Sequence, residues 1–153
     1  MSVGSLYQYF PHKLALLAGA KERHLNDLFR RIEAALAQAD GLEAGLRAAL
    51  RANFDASLAA RPLLLVCAEE LPARLRVGDE RPSDAPHVVL LRRFLHRCRG
   101  EIPDRDPGLA ALIVGEMADA VTRAALHDRP DDLRNGALEA ELMGAILLYL
   151  RGR

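Results

Sequence analysis

The side chains best equipped for specific chemistry stand together near the start of the chain: Ser5, Tyr7, Gln8, Tyr9 and Lys13. Serine, tyrosine and glutamine bring hydroxyl and amide groups that donate and accept, and lysine brings a point charge. This is a set for holding phosphates and reading base edges, not for activating a nucleophile. Leu6 and Phe10 stand four apart and share one helical face, so a short helix here would anchor on one side and present polar groups on the other. Pro11 predicts an end to that helix, because proline is tolerated only in a helix's first turn, and Lys13 then falls in the opening turn of a second, longer helix. The plainer reading is an amphipathic helix in which Tyr7 and Tyr9 are half-buried fillers.

Catalytic chemistry has little to stand on elsewhere. The hydroxyl nucleophiles outside tyrosine are Ser2, Ser5, Ser57, Ser83 and Thr122, and none sits in a G-x-S-x-G elbow. The sequence lacks a glycine-rich phosphate loop and His-x-x-x-His or Cys-x-x-Cys spacing, so no cofactor, catalytic residue or metal site is expected. His96 and Cys98, two apart, would point to different faces of a helix. Cys67 and Cys98 read as free thiols of a reducing compartment. Glu69 and Glu70 read as a solvated pair at a helix end.

The stretch Ser2, Val3, Gly4, Ser5, Leu6, Tyr7, Gln8, Tyr9, Phe10, Pro11, His12, Lys13 resembles, without a gap, the recognition helix and following turn of the TetR family of bacterial transcriptional regulators. The resemblance implies DNA contact by Ser2, Gly4, Ser5, Tyr7, Gln8, Tyr9 and Lys13, with Leu6 and Phe10 packed inward. It implies an all-α fold: residues 1–16 as the C-terminal part of a truncated helix-turn-helix DNA-binding domain, and 17–153 as an antiparallel helical ligand-binding and dimerisation domain. Members of the family carry two further helices before this point. Met1 stands where the pattern often has valine, and GTG can encode either, so the resemblance implies a start codon placed inside a longer gene. The chain as it stands is then expected to dimerise through its body, to be mobile before about Lys13, and to bind operator DNA weakly or not at all.

Composition agrees with a protein of this kind. At 153 residues with 50% hydrophobic and 27% charged residues, the chain fits one domain with a real core. The formal net charge is zero, so any attraction to DNA must be local rather than a property of the whole molecule. No apolar run approaches the ~20 residues that span a bilayer, and no signal-peptide pattern opens the chain, so the expected place is the cytoplasm, away from membranes.

The rest reads as helices. Leu14, Leu17, Leu25, Leu28, Ile32 and Leu36 form one stripe from Lys13 to about Ala39, ended by Asp40 and Gly41. Leu42 to Ala60 follows, then a helix opened by Pro62 and limited by Pro72, a surface loop from Gly78 to Pro86, and a helix from His87 to Arg99. Asp106 and Pro107 predict an N-cap and first turn for Leu109 to His127, and Leu133 to Leu150 is expected as one last helix. A ligand cavity is expected between facing helices, with Phe54, Cys67, Phe94 and Met117 as walls and Asn53, Arg93 and His96 as polar groups. A two-fold homodimer is expected through the last two helices, using Leu112, Ile113, Met117, Ala120, Val121, Ala124, Leu138, Leu142, Ala145, Ile146 and Tyr149.

Two functions fit. One is a ligand-responsive regulator, a repressor, that binds double-stranded operator DNA as a dimer and is released by a small-molecule effector. The other is a helical ligand-binding or interaction protein that does not read DNA in this truncated form. The order of Ser5, Tyr7, Gln8, Tyr9 and Lys13 favours the first, since a carrier has no need of it.

Overall fold

The computed structural model describes residues 3–72, 82–102 and 104–152, with side chains from His12 onward apart from Pro82. Seven α-helices and two short 3₁₀ turns make up the described residues, and no strand occurs among them. The helices are α1 (Val3–Gln38), α2 (Leu42–Ala59), α3 (Arg61–Glu70), α4 (Pro86–Arg97), α5 (Pro107–Asp128), α6 (Pro130–Arg134) and α7 (Ala137–Arg151).

Helix α1 corrects the sequence reading at Pro11, where a break was expected. It runs as one helix of 36 residues, about 54 Å at the usual rise. Proline's fixed φ suits a helix, and its cost is one missing donor and a crowded carbonyl a turn earlier, roughly 3 kcal/mol. Lys13, Leu14, Ala15, Leu16 and Leu17 on its C-terminal side are strong helix formers that work against this cost. Leu28, Ile32 and Leu36 bury the inner stripe of α1 against α2.

The return from α1 to α2 needs Gly41, whose φ of 98° lies in the region that side chains disfavour. The start of α2 is then capped from far along the chain: Leu42 N donates to Glu101 Oε1 at 2.8 Å. Helix α2 is the centre of the body and touches α1, α3, α5, α6 and α7. Leu42, Leu46, Leu50 and Phe54 on its inner face are each at most 5% exposed. Burying a side chain of this size contributes ~1.5–3 kcal/mol, so this face dominates the core.

Helix α5 starts as its sequence predicts, with Asp106 Oδ1 accepting from Leu109 N at 2.7 Å and Pro107 in the first turn. The last expected helix is instead two. Asn135 ends α6, Gly136 adopts a left-handed φ of 82°, and Asn135 Oδ1 accepts from Ala137 N at 2.9 Å to open α7. Asn-Gly is strong turn chemistry, and it overrides the apolar period on either side.

Candidate functional site

The residues expected to meet DNA divide by what the structure describes. The side chains of Ser2, Gly4, Ser5, Tyr7, Gln8 and Tyr9 lie outside the described residues, although the backbone is helical from Val3. Lys13 is described. Its Nζ donates to Glu70 Oε2 at 2.7 Å, joining α1 to the last turn of α3. Cys67 on the same helix approaches the Leu17 carbonyl at 3.9 Å, and burial pushes its thiol above the usual range while Lys21 pulls it down. Glu70, expected as a solvated acid, is therefore half of an interhelical pair.

The residues expected to line a cavity do not converge on one. Phe54 and Phe94 belong to the hydrophobic core, and Met117 packs against it. Phe94 fills the space left by Gly45, where an added Cβ would stand 2.2 Å from the ring. Cys67 is buried on α3. Asn53 is spent on structure: its Nδ2 donates to Thr122 Oγ1 at 2.9 Å, and that hydroxyl donates in turn to the Ala118 carbonyl. Arg93 and His96 require a correction, because both are exposed. They lie three apart on the face of α4 turned away from Val88, Leu91 and Leu95, so they cannot serve as polar groups inside the body.

The structure does show a concavity of about 500 Å³, and it lies between α1 and α4. Asn26, Phe29, Arg30 and Glu33 line one side, and Pro86, Val89 and Leu90 line the other. None of the seven expected residues belongs to it.

The expected dimer face also changes. Leu142 and Ile146 are 5% and 2% exposed within one chain, so they are core residues that hold α7 on the body. Leu112, Ile113, Met117, Val121, Leu138 and Tyr149 are half-buried, while Ala120, Ala124 and Ala145 are exposed. The outer stripe of α7 is Ala137, Ala140, Glu141, Gly144, Ala145 and Leu148, the last 60% exposed, and α5 adds Leu109 at 56%. These outer residues are the ones free to meet a second surface.

A charge cluster that the sequence reading did not find fixes α7 to α2. Glu139, 7% exposed at its side chain, accepts from Arg51 Nη2 at 2.7 Å and Nε at 3.0 Å, and from Arg47 Nη1 at 3.3 Å. Arg47 also meets Glu43 at 3.2 Å, and Arg151 reaches Glu43 at 3.4 Å. At the far end of α7 the Arg105 guanidinium lies 4.8 Å from the centre of the Tyr149 ring. The one hint in the sequence is an acid at the third position of a helix otherwise apolar on that side.

The architecture is thus a helical body with a central α2, a helix pair α5 and α7 whose exposed side mixes Leu109, Ala120, Ala124, Ala145 and Leu148 with the charged Glu116, Arg123 and Glu141, and a long α1. Residues 41–150 match the tetracyclin repressor-like C-terminal domain family, and the chain belongs to that family of TetR-type regulators. No curated protein and no solved structure matches the chain. Among the described residues no helix is long and apolar enough to cross a membrane.

Proposed function

We propose that this chain is a ligand-responsive transcriptional repressor, whose body binds a small-molecule effector and pairs two copies so that their N-terminal helices meet operator DNA. The observation that carries the reading is the family match over residues 41–150 joined to a helix, α1, that starts at Val3 with the Ser5 to Lys13 stretch and ends inside the body. A rigid rod of this kind passes a change in the body to its other end without needing a flexible joint.

Two copies meet through the outer faces of α5 and α7, with Leu109, Ala120, Ala124, Gly144, Ala145 and Leu148 at the contact. Paired recognition helices then span successive turns of the major groove, ~34–36 Å apart. Ser5 and Gln8 reach base edges while Tyr7 and Tyr9 hold phosphates, and Lys13 joins them by exchanging Glu70 for a phosphate. The effector acts by binding the DNA-incompetent spacing more tightly than the competent one. The chemistry is recognition throughout, without catalysis.

A gel-shift assay with the protein and the intergenic DNA upstream of its gene tests the reading. A specific, salt-sensitive complex that competitor DNA of scrambled sequence does not displace is expected. Equal binding to both sequences, or none, removes the regulator reading and leaves a helical ligand-binding protein.

A further inference from the structure

We infer that Glu70 is a built-in competitor for DNA: its carboxylate holds Lys13 in the free protein and must release it before Lys13 meets a phosphate. The inference rests on the reading of the Ser5 to Lys13 stretch as the DNA-facing part of α1, and it adds a control on that contact from a different helix. Lys13 Nζ donates to Glu70 Oε2 at 2.7 Å and meets no other acid among the described residues. An ammonium has three donors but a single charge. With a carboxylate against it that charge is matched, and a phosphate brought to the same nitrogen meets Glu70 as a like charge. The two anions are therefore alternatives. Lysine suits such an exchange better than arginine, because its charge is a point on a flexible stem rather than a fixed fork. Arginine supplies nearly all of the basic residues of this chain, and one of its only two lysines, Lys13 and Lys21, stands here.

The competitor is mounted on the body rather than on the helix it acts on. Helix α3 is fastened at its start, where Arg61 Nε donates to the Leu126 carbonyl of α5 at 2.7 Å. At its end Cys67 and Leu71 are both buried, and Glu70 stands between them, so the core sets where its carboxylate lies. One turn along α1 from Lys13, the Leu17 carbonyl meets Cys67, so the two helices touch at successive turns. Withdrawal of the last turn of α3 frees Lys13 for DNA, and its return recaptures the ammonium. The size of the effect follows from the exposure of the pair. A surface pair of this kind changes an equilibrium by about 1.4- to 5-fold, which two copies bound together multiply to about 2- to 25-fold. Glu69, exposed and without an ion pair among the described residues, supplies a control of equal charge one position away.

Fluorescence anisotropy of an end-labelled duplex of about 20 base pairs and arbitrary sequence tests this, because phosphate contacts do not depend on sequence. The duplex is titrated at low salt with the unaltered chain, Glu70→Gln, Lys13→Met, the double variant and Glu69→Gln. Glu70→Gln should tighten binding about two-fold or more, and Lys13→Met should weaken it. In the Lys13→Met background Glu70→Gln should change nothing. If the pair served only to tie α1 to α3, breaking it from either side would move the affinity in the same direction. A general repulsion between Glu70 and DNA would persist without Lys13, and Glu69→Gln would reproduce it. Either of those outcomes, an unchanged affinity in Glu70→Gln, or no binding by any of the chains overturns the inference. The regulator reading fails separately. Competition on the arbitrary duplex with no preference for operator DNA upholds the role of Glu70 and removes that reading, whereas a specific operator complex indifferent to Glu70→Gln does the reverse.

Discussion

Lys13 Nζ lies 2.7 Å from Glu70 Oε2, so the helix that begins with the DNA-like motif is tied to the last turn of α3. Both side chains are about one-third exposed, at 36% and 35%, which places the pair among those worth ~0.2–1 kcal/mol. A double-mutant cycle of Lys13→Met and Glu70→Gln in thermal unfolding should return a coupling in that range, shrinking as salt rises. A coupling of zero at low salt would show that the pair is not maintained in solution.

The Glu139 carboxylate is a different case, because it is buried between two arginines that keep their own access to water. Replacing it with alanine removes charge-assisted hydrogen bonds while letting Arg47 and Arg51 rehydrate, so the loss should be about 1–2 kcal/mol rather than the 3–5 typical of stranding a buried charge. Denaturant unfolding of Glu139→Ala measures it, and a loss under about 0.5 kcal/mol would mean that α7 is held by its apolar face alone.

Gly45 and Phe94 permit a sharper prediction. A Cβ at position 45 would stand 2.2 Å from Phe94 Cζ and 2.5 Å from Cε2, so the buried Phe94 ring or one of the two helices must shift. Gly45→Ala should therefore destabilise by about 2 kcal/mol or more, although alanine is the better helix former. The paired change Gly45→Ala with Phe94→Leu should recover part of that loss. An unchanged melting temperature in Gly45→Ala would contradict the packing of α2 on α4.

His24 gives the pH dependence. Burial pushes its imidazole below the ordinary value of 6.5, Asp27 opposes the shift and Arg31 adds to it. The folded state thus prefers the neutral ring. Its contribution is present above pH 6.5 and is lost as pH falls from there towards the lower folded value. Melting temperature should fall over that window, and His24→Gln should flatten the fall. A stability that rises on acidification below 6.5 would reverse the assignment.

Local signals were readable from the chain and distant ones were not. The stripe of Leu28, Ile32 and Leu36, the Asp106 cap and the Pro107 start depend on neighbours within a turn or two, and the structure places them as the sequence implies. Glu101 caps α2 across 59 residues and Glu139 meets Arg51 across 88, and no short-range pattern carries such pairs. The burial of Leu142 and Ile146 was missed for another reason. Helix α7 is apolar on nearly every side, so periodicity cannot say which face meets the body and which remains outside. Residue type alone points Arg93 and His96 into a cavity, and only the packing of Val88, Leu91 and Leu95 shows that their face is turned to solvent. The α1 and α4 groove was illegible because Phe29 and Val89 become neighbours only through the fold.

Two-fold pairing is the claim on which the regulatory reading turns, since a single recognition helix has nothing to be spaced against. Sedimentation velocity at low micromolar concentration tests it, run on the unaltered chain, Leu148→Arg and Leu142→Arg. A dimer is expected for the unaltered chain, a folded helical monomer for Leu148→Arg, and loss of helical structure for Leu142→Arg, since Leu142 is 5% exposed in one copy. A monomeric unaltered chain, or a dimer that survives Leu148→Arg unweakened, would contradict it.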